Sequence, residues 1–229
     1  MFLVLATQYS ENTNSNADTN SRFEQVLPRL PESRRDKLNR VRHRQTRITS
    51  MLGLLLLREG MQRLDVGDFS LHEIVYREDH KPHCPDRYDF NISHSHGMVV
   101  CAISTGCRVG IDVEHLRDIR PERFARLLEL TGDVTNELTG PRFFELWTQK
   151  EAVIKADGTG GVWDIGKVRL EHNNGLLRDQ HWQLAPVKMP PGYVAHLAHD
   201  SQNSVSAVIE PSFLDCGAIV HSALNSDTL

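Results

Sequence analysis

Apolar positions follow two different rhythms along the chain. The opening "FLVLA" is a short apolar run that predicts a first strand, whereas "SENTNSNADTNS" at 10–21 has no apolar rhythm and reads as a long loop. Leu38, Val41, Ile48, Leu52 and Leu55 then recur at helical spacing, with Gly60 as a stop signal. One long helix or two consecutive ones are predicted over about 32–59. "LHEIVYR", "YDFNIS", "MVVCAIS" and "RVGIDVE" predict strands, the middle two joined around "HSHG" as a hairpin. After Pro121 a segment rich in Arg, Leu and Glu predicts a helix, and "RFFELWTQKEAVIK" predicts another that "DGTGG" ends. The β-like runs "VRLEH", "HWQLAPV", "YVAHLAH" and "SVSAVIE" follow. Helices alternating with hairpins imply an α+β fold in two similar halves, 1–106 and 107–229.

Composition narrows the function classes. The 229 residues carry 26 Lys and Arg against 30 Asp and Glu, a formal charge of −4 that points away from nucleic acid as a general partner. That charge is uneven: eight basic and two acidic residues lie between Arg29 and Arg47, so this stretch is +6 and the remainder −10. Such local asymmetry asks for an anionic ligand. Cys84, Cys101, Cys107 and Cys216 form no CxxC pair, and the first residues lack the pattern of a signal peptide, so a reducing, cytoplasmic setting is expected. No membrane association is expected either, because the apolar run "MLGLLLL" at 51–57 is far shorter than the ~20 residues of a span.

Four strings carry candidate chemistry. In "VGIDVE" at 109–114, side chains alternate along a strand, so Val109, Ile111 and Val113 share one face and Asp112 and Glu114 the other. Two carboxylates held together fit a divalent cation, or an ordinary half-exposed strand. In "WTQKEAVIK" at 147–155, Trp147, Glu151 and Lys155 stack along one helical face. That is helix stabilisation, or a third carboxylate with a lysine for phosphate chemistry beside Mg²⁺. In "FNISHSHG", Phe90 and Ile92 face inward, Asn91 and Ser93 outward, and Ser93–His94 with turn amides could grip a phosphate. "HKPHC" places Lys81–Pro82 on a stiff turn. Its His80, His83 and Cys84 lack a second ligand pair at zinc-site spacing.

In the order "HKP", "FNISHS", "VGIDVE", "WTQKEAVIK", these strings resemble the 4'-phosphopantetheinyl transferases, specifically the longer surfactin-synthetase-activating type. The basic "PESRRDKLNR" and the following "TSMLG" are similar to that family's N-terminal helix region, so the resemblance covers most of the chain. His80 departs from it, standing where a glycine usually precedes Lys-Pro. The resemblance implies a holo-acyl-carrier-protein synthase activity: Mg²⁺-dependent transfer of phosphopantetheine from coenzyme A to a serine of an apo acyl, aryl or peptidyl carrier protein, releasing adenosine 3',5'-bisphosphate. The pathway served, whether of fatty acids, polyketides or nonribosomal peptides, stays open. By the same resemblance, Asp112, Glu114 and Glu151 bind the metal, and Lys81 with Pro82, Ser93, His94 and Lys155 meet phosphates of coenzyme A. Arg34, Lys37 and Ser50 would reach the adenosine 3'-phosphate. Asp112, Glu151 and Lys155 would form the catalytic set, Glu151 or Glu129 would be the base, and Lys150 would touch the leaving group or solvate its helix. The implied fold is a monomeric pseudo-dimer of two α/β halves with coenzyme A in the cleft between them. A catalytically silent homologue that binds coenzyme A or carrier protein, or a Mg²⁺-dependent hydrolase, would share these features.

Overall fold

A computed structural model describes residues 2–10, 16–65, 69–76, 81–84, 88–120, 124, 127–128, 140–201, 208–227 and 229, with 16–20 described by backbone alone. The fold is α+β. The first sheet has the order β2–β3–β1–β9, built from β1 (Phe2–Gln8), β2 (Asp89–Ser95), β3 (Met98–Ser104) and a short β9 (Ser212–Phe213). The second has the order β4–β8–β7–β6–β5, built from β4 (Val109–His115), β5 (Arg169–Glu171), β6 (Asn174–Leu177), β7 (Gln180–Val187) and β8 (Tyr193–His199). In the first sheet β1 is followed by helices and then by the β2–β3 hairpin, whose β3 pairs antiparallel with β1; in the second, β4 is followed by helix and then by the meander β5–β6–β7–β8, whose β8 pairs antiparallel with β4.

The hydrophobic pattern explains the layering. β3 is buried at every position. Val99, Cys101 and Ile103 enter the core beneath α3 (Arg44–Arg63), while Met98, Val100 and Ala102 enter a second core with Val109, Ile111 and Val113 of β4. A strand covered on both faces reads as a continuous apolar run. The predicted apolar face of "VGIDVE" therefore packs on the first half of the chain. A third core, with Phe143, Phe144, Val153 and Trp182, lies under α4 (Gly140–Asp157).

The basic region forms two helices, α2 (Glu32–Asn39) and then α3. His96 and Gly97 both adopt positive φ, 47° and 86°, in the two-residue turn of the β2–β3 hairpin. Three expectations change. Part of the stretch read as a loop is helix α1 (Asn16–Val26), whose Phe23 and Val26 bury against the first core. "LHEIVYR" is not a strand but a 3₁₀ turn, Leu71–Glu73, followed by one bridge from Val75 to His83. A capping box at Ser70 and Glu73 fixes that turn. The chain also ends in an unpredicted helix, α5 (Cys216–Leu224), whose Ile219 and Val220 return to the first core. Most of the segment after Pro121, with Glu129, and His80 lie outside the described residues. Among the described residues, no helix is long and apolar enough to cross a membrane.

β2 and β4 are edge strands that face each other without backbone pairing. Side chains replace the ladder. The N–H groups of Val109, Ile111, Val113 and His115 donate to Asp89 Oδ2 (2.6 Å), Asn91 Oδ1 (2.9 Å), Ser93 Oγ (3.4 Å) and Ser95 Oγ (3.2 Å). The alternating polar residues of "DFNISHS" thus satisfy donors that an uncovered edge would leave open.

Candidate active site

Helix α4 crosses β4 at very close range. A Cβ on Gly110 would lie 2.1 Å from the Ala152 carbonyl oxygen and 2.3 Å from the Ala156 nitrogen, so only glycine permits this approach. The approach brings Glu151 and Lys155, one helical turn apart, to the carboxylates of the strand. Asp112 is 4% exposed. Its Oδ1 accepts from Lys155 Nζ at 2.5 Å and Ser93 Oγ at 2.8 Å, and its Oδ2 is buried with no partner among the described residues. Lys155 also donates to Ser93 Oγ at 3.1 Å. Glu114 Oε2 accepts from Ser95 Oγ at 2.8 Å and from Arg117 Nη1 at 3.1 Å. Burial pushes the Asp112 carboxyl above the usual range, against the pull of Lys155 and of hydrogen bonds from Lys155 and Ser93. Glu151 is likewise raised by burial, with Lys155 pulling it down and the charges of Asp112 and Glu114 adding to the rise.

The three carboxylates expected to bind metal are therefore neighbours, but they do not converge. Among the described residues, no three acidic, histidine or cysteine side chains meet as a metal-binding group. The physical reason is charge: Lys155 occupies one oxygen of Asp112, while Ser95 and Arg117 occupy one of Glu114. The donor set still fits a hard divalent cation, since it offers three carboxylates and a buried Asp112 oxygen with no other partner. His83 and Cys84 join no metal group among the described residues, and burial keeps the Cys84 thiol protonated, pushed up to about 11.

On the other side of β2 lies a cavity of about 330 Å³, lined by Arg34, Lys37, Ser50, Pro82, Asn91 and His94 together with apolar side chains. α2 presents Arg34 and Lys37 one turn apart, α3 adds Ser50, and the period of two along β2 sends Ile92 and His94 to the cavity. His94 is held below its usual range, first by burial and then by the Lys155 charge. Five residues named from the sequence as ligand contacts thus share one cavity. Three others, Ser93, Lys155 and Lys81, sit elsewhere. Ser93 belongs to the carboxylate cluster, and Lys81 Nζ donates to Asp89 Oδ2 and to the Val109 carbonyl, each at 2.5 Å. Lys150 does not solvate its helix, because it is buried and donates to the Leu128 carbonyl at 3.2 Å. The sequence reading missed Ser95 and Tyr76. Ser95 shares the strand face of Ser93, which was a usable signal. Tyr76 stacks on Arg34, far away along the chain, and nothing local announces that pairing.

Comparison with known proteins agrees with this arrangement. The family model of the 4'-phosphopantetheinyl transferase superfamily matches residues 108–182, which hold β4 and α4. The chain is 32% identical over 186 residues to the 4'-phosphopantetheinyl transferase Sfp of Bacillus subtilis, covering 74% of this chain and 82% of that protein. It is 37% identical over 132 residues to the 4'-phosphopantetheinyl transferase gsp of Aneurinibacillus migulanus, 54% of each chain. It is 36% identical over 97 residues to the 4'-phosphopantetheinyl transferase HetI of Nostoc, 37% of this chain and 41% of that one. With a cation-lined cavity beside a buried carboxylate–lysine cluster, and with this coverage of its relatives, the chain belongs to the 4'-phosphopantetheinyl transferase family.

Proposed function

We propose that the protein transfers 4'-phosphopantetheine from coenzyme A to a serine of an apo carrier protein, with Mg²⁺, as a cytoplasmic monomer. The observation that carries this reading is that one strand, β2, serves both places: Ile92 and His94 line the cavity, while Ser93 and Ser95 bond the strand carboxylates. A single extended ligand with phosphates at both ends of its nucleotide portion could engage both. The shared connectivity of the two sheets supports a pseudo-dimer divided near residue 107, with the last strand and helix returning to the first half.

In this reading Arg34, Lys37 and Ser50 receive the 3'-phosphate of the adenosine end, with Pro82 and His94 completing the wall. Asp112, Glu114 and Glu151 would hold the metal, which would supply positive charge to a phosphoryl group. Ser93 and Ser95 orient the strand carboxylates. The carrier serine oxygen attacks the β-phosphorus, the bond from that phosphorus to the bridging oxygen breaks, and adenosine 3',5'-bisphosphate leaves. Glu151 accepts the serine proton, and Lys155 stabilises charge on the phosphoryl oxygens. Positioning of serine against phosphorus supplies much of the rate.

Intact-mass measurement of an apo acyl carrier protein incubated with the protein, coenzyme A and Mg²⁺ tests the reading. A gain of one phosphopantetheine, lost with chelator and slowed at least ~100-fold by Asp112→Ala, is the expected result. Coenzyme A binding with no gain across acyl, aryl and peptidyl carriers would indicate a silent binding protein. Coenzyme A breakdown without any carrier would indicate a hydrolase.

A further inference from the structure

We infer that Tyr76 is a specificity-determining positioning residue: its ring holds the Arg34 guanidinium in the orientation that reads a phosphate monoester in the cavity. The inference rests on the ligand role proposed for Arg34.

Arg34 Cζ lies 3.7 Å from the centroid of the Tyr76 ring. An arginine on the first turns of a short helix has several free torsions, and a flat aromatic face removes most of that freedom while leaving the edge donors available. Arg34 lines the cavity, yet its buried Nε has no hydrogen-bond partner among the described residues. Tyr76 Oη is also buried without one. Unmatched buried donors are costly, so a group held this way is one whose partner arrives with the ligand. The rest of the fold fixes the ring. Val75 and His83 exchange both backbone hydrogen bonds, at 2.9 and 3.2 Å, and Ile74 and Cys84 on either side are in the first core. Pro82, next to the bridged His83, lines the cavity wall. Burial pushes the Tyr76 phenol up, and the charge and polar side-chain contact of Arg34 bring it only part of the way back, so the ring faces the guanidinium as a neutral phenol. Lys37 has no comparable aromatic contact among the described residues, which leaves Arg34 as the pre-oriented cation of the pair.

Calorimetric titration with coenzyme A and with dephospho-coenzyme A tests this, using wild type, Tyr76→Phe, Tyr76→Leu, Tyr76→Met and Arg34→Ala. Wild type should prefer the ligand bearing the 3'-phosphate. Tyr76→Leu and Tyr76→Met should each shrink that preference ~5–30-fold, toward the value for Arg34→Ala, the size of a desolvated cation–π contact. Tyr76→Phe, which keeps the ring, should keep the preference within ~3-fold. Because each preference is a ratio of two affinities on one sample, a poorly folded fraction cancels. Two aliphatic variants guard against failure of either one to fold. A preference that survives both, or equal weakening of the two ligands, would overturn the role of Tyr76 alone. A wild type with no preference would overturn the Arg34 reading and the Tyr76 role with it.

Discussion

Ser93 and Ser95 each perform the same pair of tasks. Each hydroxyl donates to the acid nineteen residues ahead, Asp112 or Glu114, and accepts the N–H of the following residue. A hydroxyl has one donor and two acceptor sites, so one small side chain can both orient a carboxylate and fasten a strand. Ser95→Ala should therefore weaken divalent cation binding 10–100-fold, the usual cost of losing an outer-sphere partner. Manganese titration followed by electron paramagnetic resonance would read this without turnover, and unchanged affinity would remove Ser95 from the site. His196 makes a pH prediction. It is buried with Nδ1 2.8 Å from Thr148 Oγ1, and burial lowers its pKa from 6.5 to about 4. Between those values the unfolded chain binds more protons, so this contribution to stability is complete above pH 6.5 and is lost as pH falls toward 4. Its size is about 3 kcal/mol in order of magnitude. Asp112, raised by burial, acts with the opposite sign, so the useful reading is the difference between wild type and His196→Gln in urea unfolding. The variant should lose less stability on acidification; parallel curves would show that another group titrates.

At the scale of elements, the close approach of β4 and α4 sets the site. Gly110→Ala would drive a methyl group into the backbone of Ala152 and Ala156, where no side chain can yield. The expected cost is ~1–3 kcal/mol by denaturant unfolding, with loss of transfer beyond what stability explains because Glu151 and Lys155 shift from Asp112. A variant as stable and as active as wild type would mean that the helix slides freely on the strand. The sequence showed which acids share a strand face, and it showed the i, i+4 pair on the helix. It did not show that a glycine between them closes the gap. The same scale accounts for the misread segments: α1 and α5 are held by burial of Phe23, Ile219 and Val220 against a core formed elsewhere.

Across the whole molecule, Lys81 acts as a strut. Its ammonium joins Asp89 of β2 to the Val109 carbonyl of β4, and its N–H donates to the Gly158 carbonyl just after α4 at 3.1 Å. Burial lowers its pKa despite Asp89, so the charge is kept at some expense in a largely dry position. Lys81→Met should cost ~1–3 kcal/mol of stability and leave the preference for the 3'-phosphate intact. Weaker coenzyme A binding at unchanged stability would instead assign Lys81 to a ligand phosphate.

The sequence by itself determined what is periodic or contiguous: the α+β class, the helices of the basic region, the β2–β3 hairpin, and the facing of Asp112 with Glu114 and of Glu151 with Lys155. Those follow from alternation of two and recurrence near four, which a short window over each of these elements displays. Tertiary structure alone decided that "DFNISHS" spends its polar face on β4, that Lys81 turns from the cavity, that Arg34 lies on Tyr76, and that the chain's end closes its beginning. Each of these is a meeting of residues distant in sequence, fixed by burial and by the need to pair every buried polar group, and no local pattern encodes it.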